Sequence, residues 1–176
     1  MACACWTAWS PITTKASTVQ MTQVAFYHLQ KWPLETALPK LLEKTLEAGK
    51  RAVIMASTPE RVEALNALLW TYRQDSWLPH GSAKDGEAED QPVWLTERDE
   101  NPNQASFLFL TDGARSEHLG EFERCFELFD GNDEEAKQAA RQRWKDYEAA
   151  GHDLAYWRQT DVGGWEQGGD EQKANE

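Results

Sequence analysis

Between residues 24 and 70, apolar runs of strand length alternate with amphipathic stretches of helical length. The runs 24–29 and 51–56 are largely apolar, which is typical of buried strands. The stretches 33–47 and 59–70 carry leucines at helical spacing, and each begins with a proline, a residue favoured in the first helical turn. Because parallel strands require helical crossovers, this β-α-β-α order predicts a parallel sheet covered by helices.

The second half of the chain predicts further strands and one long helix. Strands are expected at 93–95, 106–110, 125–130 and 153–157, a short helical segment at 118–124, and a long helix over 136–151 capped by Asn132 or Asp133. Trp94 and Trp157 fall in strand-like segments, so we expect both in the core. We predict an α/β fold, a three-layer α/β/α arrangement with a central, mostly parallel sheet in a single domain.

The chain divides into three segments by composition. Residues 1–20 show neither strand alternation nor helical period, which predicts a disordered N-terminal extension. Residues 21–162 contain the predicted helices and strands and form the folded domain. Residues 163–176 are acidic and of low complexity, which predicts a disordered tail.

The formal net charge of −12 limits the possible partners. Non-specific binding of DNA or RNA needs a basic surface, so contact with DNA is expected only indirectly, through another protein. Apolar runs stay well below the ~20 residues that span a bilayer, and the first twenty residues do not read as a secretory signal. We therefore expect no membrane contact. Because Cys3, Cys5 and Cys125 make no disulfide framework, we also expect a cytoplasmic protein.

Common motifs for catalysis and cofactor binding are missing from the sequence. Gly49-Lys50-Arg51 lacks the leading glycine of a phosphate loop and follows a helix rather than a strand. The four histidines (His28, His80, His118 and His152) have no partner at ligand or triad spacing, so each is expected to be structural or on the surface. We predict no catalytic residue, no metal and no cofactor.

The predicted long helix aligns three cations beside an indole. Lys137, Arg141 and Lys145 recur every fourth residue, and Trp144 follows Arg141 by three positions, so the four share or border one face. Such a face suits a partner that is anionic with an apolar end. The alternative interpretation is an ordinary solvated face whose tryptophan anchors the helix to the core.

Two further tryptophans lie outside the predicted strands. Trp70 ends a helix, and Trp77 lies in the polar loop that follows it. Aromatic side chains at such positions are enriched at protein interfaces. The alternative is that both rings fold back onto the edge of the sheet.

Four blocks of the sequence resemble one protein family in the same order. They are FYHL in the first strand, AGKRAVI, ALLWTYRQDSWLPHG at a helix end, and AKQAARQRWKDYEAAGHDL along the long helix. Over about residues 21–157 the chain resembles the chi subunit of bacterial DNA polymerase III. The resemblance implies an α/β fold with a mostly parallel sheet, and an accessory subunit of the clamp loader that has no catalytic activity.

The resemblance also implies two surfaces for partner proteins. The pocket for the acidic, Phe-ended C-terminal tail of single-stranded DNA-binding protein corresponds to Lys137, Arg141, Trp144, Lys145 and Gly151. The face for the psi subunit, or another clamp-loader component, corresponds to Trp70 and Trp77. In this reading Arg141 binds the terminal carboxylate, the two lysines screen acidic residues, and Trp144 forms a wall for the Phe ring.

Departures from the family pattern and other functions stay open at this point. Trp144 occupies a position that is more often Tyr, and Asp130 stands where an apolar residue would line the pocket better.

One alternative function is a small α/β nucleotide-binding enzyme with a phosphate site near residues 29–31, although no glycine lies there. Another is a helicase-binding adaptor in DNA repair that uses the Trp70 and Trp77 face.

Overall fold

A computed structural model describes residues 21–73 and 77–168, which form eight strands and three α-helices. In chain order they are β1 (Gln23–Leu29), α1 (Leu34–Glu47), β2 (Ala52–Met55), α2 (Pro59–Thr71), β3 (His80–Ser82), β4 (Val93–Thr96), β5 (Phe107–Leu110), β6 (Arg124–Asp130), α3 (Glu134–Ala149), β7 (Asp153–Gln159) and β8 (Trp165–Gln167). A short 3₁₀ turn, Leu119–Glu121, precedes β6. The predicted N-terminal extension, 1–20, and residues 169–176 of the predicted tail lie outside the described residues.

All eight strands belong to one sheet in the order β3-β4-β2-β5-β6-β1-β7-β8. Neighbouring strands are parallel except β7 and β8, which are antiparallel. Alternate residues of β1 face opposite sides of the sheet: Ala25 and Tyr27 pack with the leucines of α1 and α2, while Val24 and Phe26 pack with Ala140 of α3. The predicted three-layer α/β/α arrangement with a mostly parallel sheet is therefore confirmed.

Helix α3 begins and ends at residues suited to those positions. The amides of Glu135 and Ala136 donate to the Asp133 carboxylate at 2.9 and 3.4 Å, so Asp133 is the N-cap. Gly151 follows the helix with a φ of +85°, a left-handed conformation that glycine adopts without strain. The helix therefore spans Glu134–Ala149, two residues earlier at each end than the sequence predicted.

A buried ion pair holds α3 against the sheet. Glu127 of β6 is 0% exposed and Arg143 of α3 is 3% exposed, and an Nη–Oε distance of 2.7 Å joins them. Burial raises the pKa of Glu127 to about 7, although the Arg143 charge acts in the opposite direction. Both charges lose their water in the folded state, so each depends on the other as its partner.

Two strands were not predicted from the sequence. Strand β3 has only three residues and lies in a stretch read as a loop. Strand β8 lies within residues 163–176, so the prediction of disorder is wrong for residues 163–168. There, Arg158 donates to Glu166 at 2.6 Å, and the Trp165 ring meets Tyr27 edge-on at 4.7 Å.

The two tryptophans predicted for the core differ in burial. Trp94 is 4% exposed, which confirms the prediction for that residue. Trp157 is only partly buried, and its ring stacks on Tyr27 at the outer side of the core. Its strand, β7, has only the three-residue β8 beyond it, which explains the difference.

Candidate functional site

A small aromatic hollow lies between α3 and the sheet. Its volume is about 40 Å³, room for about three water molecules, and it opens to solvent beside the exposed face of α3. Its floor and inner wall come from β1, β6 and β7, and its outer wall comes from α3. The lining residues are Phe26, His28, Phe129, Lys137, Ala140, Arg141, Trp144 and Tyr156. We call this feature the aromatic hollow.

Strand register brings the aromatic side chains of the sheet together. Phe26 of β1 lies opposite Tyr156 of β7, and His28 of β1 lies opposite Phe129 of β6. Directly opposed residues in paired strands point to the same face, which here is the face covered by α3. Three strands far apart in sequence thus contribute to one patch.

The spacing of α3 supplies the outer wall. Lys137, Ala140, Arg141 and Trp144 stand at positions i, i+3, i+4 and i+7, the spacing of one helical face. The Trp144 ring packs on Phe26 with ring centroids 5.0 Å apart, which anchors the indole. Ala140 carries only a methyl group between the longer side chains, and this small residue leaves the hollow open.

His28 is held by contacts on several sides. Its ring stacks on Phe129 with centroids 5.1 Å apart, and its Nδ1 forms a hydrogen bond with the Tyr156 hydroxyl. Burial lowers the pKa of His28 below its ordinary value, and the charges of Lys137 and Arg158 lower it further. Burial also raises the pKa of Tyr156. The inner wall of the aromatic hollow is therefore uncharged at neutral pH.

The cations predicted for the site differ in their surroundings. Arg141 is exposed and makes no hydrogen bond or ion pair with any residue in 21–73 or 77–168. Lys137 pairs with Glu134 at 2.6 Å across one helical turn. Lys145 is exposed one turn beyond Arg141 and does not line the aromatic hollow. Gly151 follows the C-terminal end of the helix and does not line the hollow either.

The sequence did not reveal the residues of the inner wall. His28 was expected to be structural or on the surface, and Phe129 and Tyr156 were read only as parts of strands. Their shared face becomes visible only once the order of β6, β1 and β7 is known.

Asp130 does not line the hollow. It is exposed, and its Oδ1 accepts a hydrogen bond from the Asn132 amide at 2.8 Å.

The second predicted surface lies at the opposite end of the sheet. Trp70 is 61% exposed and Trp77 is 78% exposed. The Trp70 ring contacts His80 of the edge strand β3, with centroids 4.9 Å apart, yet most of the indole faces solvent. Four to six strand spacings separate β3 from the strands under the aromatic hollow, about 19–29 Å. One partner on each surface is sterically compatible with this separation.

The end of β1, where a nucleotide-binding enzyme would hold phosphate, is filled by a side chain of the protein. Oε1 of Gln159 accepts three successive backbone amides, those of Gln30, Lys31 and Trp32, at 2.9–3.0 Å. Three converging amides are a typical cradle for an anion. Because the Gln159 oxygen already occupies it, this geometry argues against the nucleotide-binding alternative.

A larger cleft of about 700 Å³ lies outside the carboxyl ends of the strands. Carboxylates outnumber cations among its lining residues, which include Glu35, Asp112, Asp130, Asp133 and Glu135 against Lys31, Arg61 and Arg143. Arg61 and Arg143 are already paired with carboxylates at 2.8 and 2.7 Å. This charge distribution disfavours a nucleotide.

Within residues 21–73 and 77–168, no group of three or more His, Cys, Asp or Glu side chains is arranged to hold a metal ion. Over the same residues, no helix is both long and apolar enough to cross a membrane. Cys125 is buried and unpaired, and burial raises the pKa of its thiol well above the ordinary value.

A single-sheet α/β domain with an aromatic hollow below an exposed arginine has the features of a protein-recognition module. The profile of the DNA polymerase III chi subunit, HolC, matches residues 21–155. A Rickettsia prowazekii (strain Madrid E) protein named "Probable DNA polymerase III subunit chi" is 33% identical over 109 residues, which cover 60% of this chain and 66%, just under two thirds, of that protein.

The chain belongs to the DNA polymerase III chi subunit family. The resemblance found from four sequence blocks is thereby confirmed over nearly the same residues, 21–155 against about 21–157. The family consists of non-catalytic accessory subunits of DNA polymerase III, which work in DNA replication.

Proposed function

We propose that this protein links the clamp loader of DNA polymerase III to single-stranded DNA-binding protein by holding that protein's acidic C-terminal tail in the aromatic hollow. It acts without catalysis, in the cytoplasm, and reaches DNA only through its partner. The single observation that carries the proposal is the exposed Arg141 guanidinium, unpaired among the described residues, at the mouth of a hollow lined by aromatic rings.

The chemistry of the hollow matches a peptide that ends in phenylalanine. A guanidinium binds a carboxylate through two parallel hydrogen bonds, so Arg141 suits the free C-terminus of the tail. Trp144, Phe26 and Phe129 provide apolar surface for the terminal ring next to that carboxylate. The small volume means that the ring enters edge-first and stays partly exposed.

The lysines of α3 contribute through longer-range attraction. Lys137 lines the hollow, while Lys145 extends the cationic face by one turn. Acidic residues upstream of the terminal phenylalanine would lie along this face. Because the net charge of the whole protein is −12, long-range repulsion opposes this local attraction. We expect micromolar affinity, about −8 kcal/mol, that weakens with salt.

The second surface fits a partner on the clamp-loader side. Exposed indoles such as Trp70 and Trp77 are frequent anchors of protein interfaces. We assign this face to the psi subunit or another clamp-loader component. A helicase in DNA repair is the second candidate for the same face, since its apolar character does not distinguish the two. If the psi subunit and the helicase displace each other, and Trp70→Ala weakens the binding of both, the two partners share one face.

The proposal is tested by titration of a labelled acidic peptide that ends in Asp-Ile-Pro-Phe with a free carboxylate. Arg141→Ala should weaken binding about thirtyfold or more, since a charge-assisted contact contributes on the order of 2 kcal/mol. The matched control is Arg98→Ala, which removes the same charge from an exposed loop after β4 and should leave affinity unchanged. Equal binding by the Arg141 variant and the unmodified protein would refute this site.

A further inference from the structure

The aromatic hollow has an inner wall made of two side chains that the family comparison does not assign. His28 of β1 and Tyr156 of β7 lie on the same face of the sheet, two register positions apart, and are joined by a hydrogen bond. Both residues line the hollow on the side opposite the cations of α3. We propose that His28 and Tyr156 set the size of the terminal side chain that this hollow accepts, an inference that rests on the proposed function.

His28 cannot move back to enlarge the hollow. The backbone of Gly131 lies close against the imidazole: a Cβ at position 131 would come within 1.9 Å of Nε2. The Phe129 ring covers one face of the imidazole at an interplanar angle of 18°. Since protein interiors are close-packed and resist compression, the imidazole has no room to retreat.

Tyr156 is supported from behind in the same way. The amide of Gly168, just after β8, donates to the Tyr156 carbonyl at 2.9 Å. A Cβ at position 168 would lie 2.4 Å from the Tyr156 ring, so the Gly168 backbone lies directly against this ring. The hydrogen bond between the Tyr156 hydroxyl and His28 then fixes the other end of the side chain. Gly168, the residue that follows β8, therefore supports this part of the wall.

A wall clamped in this way produces selectivity by size. With about 40 Å³ available, one edge of a phenyl ring can enter, whereas an indole would have to displace His28 or Tyr156. A terminal leucine would enter but would lose the edge-to-face contacts with the surrounding rings. We expect the unmodified protein to bind a terminal Phe about tenfold more tightly than a terminal Trp.

The test compares peptides that differ only in a terminal Phe or Trp, titrated into full-length variants. Tyr156→Ala should deepen the hollow and change the Trp-to-Phe ratio of dissociation constants at least fivefold in favour of Trp. Tyr156→Phe keeps the ring and should hold the ratio within about twofold of the unmodified protein. The ratio is measured within one sample, so a partly unfolded variant does not distort it.

His28→Ala provides an independent second measurement and should move the ratio in the same direction. Tyr72→Ala is the control, because it truncates a half-buried tyrosine that packs with the core on the other face of the sheet. Unchanged ratios in both Tyr156→Ala and His28→Ala would overturn the inference while leaving an Arg141-dependent site intact. If no Phe-ended peptide binds, or if binding ignores Arg141→Ala, the proposed function itself fails, and the size selectivity fails with it.

Discussion

Two arginines of α3, two residues apart, have opposite environments. Arg143 is buried and paired with Glu127 of β6 at 2.7 Å. Arg141 is exposed and has no partner among the described residues. Two residues along a helix correspond to about 200° of rotation, so neighbouring arginines point to opposite sides.

The comparison separates a structural charge from a charge available to a partner. A buried guanidinium needs an internal carboxylate, because its desolvation is otherwise too costly. An exposed guanidinium beside a preformed apolar hollow keeps its donors available for an external carboxylate. The internal pairing of Arg143 therefore leaves Arg141 as the arginine of α3 that we propose for the partner.

The largest expected effect comes from breaking the buried pair. Arg143→Ala leaves Glu127 without its partner and should lower the free energy of unfolding by about 3–5 kcal/mol. Arg141→Ala should change it by less than about 0.5 kcal/mol, as is usual for an exposed residue. Urea denaturation of both variants measures the difference. Similar losses for the two variants would contradict the distinction between them.

The second prediction concerns the pH dependence of stability. Burial raises the pKa of Glu127 from 4.5 to about 7, so in this range the folded state holds a proton that the unfolded state has released. Stability contributed by the protonated form is therefore present below pH 4.5 and is lost as the pH rises towards 7, on the order of 2–3 kcal/mol.

Glu127→Gln should remove this loss, because the amide does not titrate. The measurement is the difference between the unfolding free energies of the variant and the unmodified protein from pH 4.5 to 7.5. The difference isolates Glu127 from His28, whose lowered pKa acts in the opposite sense. A difference that stays constant across this range would show that the pKa of Glu127 is not raised.

A third prediction fills the aromatic hollow without changing any charge. Ala140→Leu places a larger side chain between Lys137 and Trp144 and should weaken binding of the Phe-ended peptide about tenfold, or 1.4 kcal/mol. Ala139→Leu is the matched control, because residue 139 lines the other cleft and not the hollow. Equal affinities of the two leucine variants would mean that the hollow does not receive the ring.

The smallest effects are expected for the lysines. Lys137→Ala and Lys145→Ala should each weaken peptide binding by about threefold at low salt, within the usual range of exposed charge pairs. At about 1 M salt, where the screening length is about 3 Å, these losses should nearly vanish. Titrations at two salt concentrations provide the measurement. A lysine effect larger than that of Arg141→Ala would reverse the assigned roles.

Much of the fold follows from local patterns in the sequence. The strands that became β1, β2 and β6 are strongly apolar, and the helices that became α1 and α2 begin at favourable residues, so their positions were predicted within one or two residues. Strands β3 and β8 were missed because three-residue strands have almost no periodicity of their own. They exist through contacts with β4 and β7 that a linear pattern does not contain.

The candidate site was only half predictable for a related reason. Lys137, Arg141 and Trp144 lie on one helix, so helical spacing alone groups them. His28 and Tyr156 are 128 positions apart and meet only because β7 pairs with β1. The buried role of Arg143 was equally hidden, since its partner Glu127 belongs to a strand that otherwise reads as apolar.

The most direct test of the central claim is a double-mutant cycle between Arg141 and the carboxylate of the peptide. Peptides with a terminal carboxylate or a terminal carboxamide are titrated into the unmodified protein and into Arg141→Ala. A direct contact predicts a coupling energy of about 2 kcal/mol, because each change should cost little once the other has been made. Additive effects, with a coupling energy near zero, would contradict the claim that this arginine holds the end of the tail.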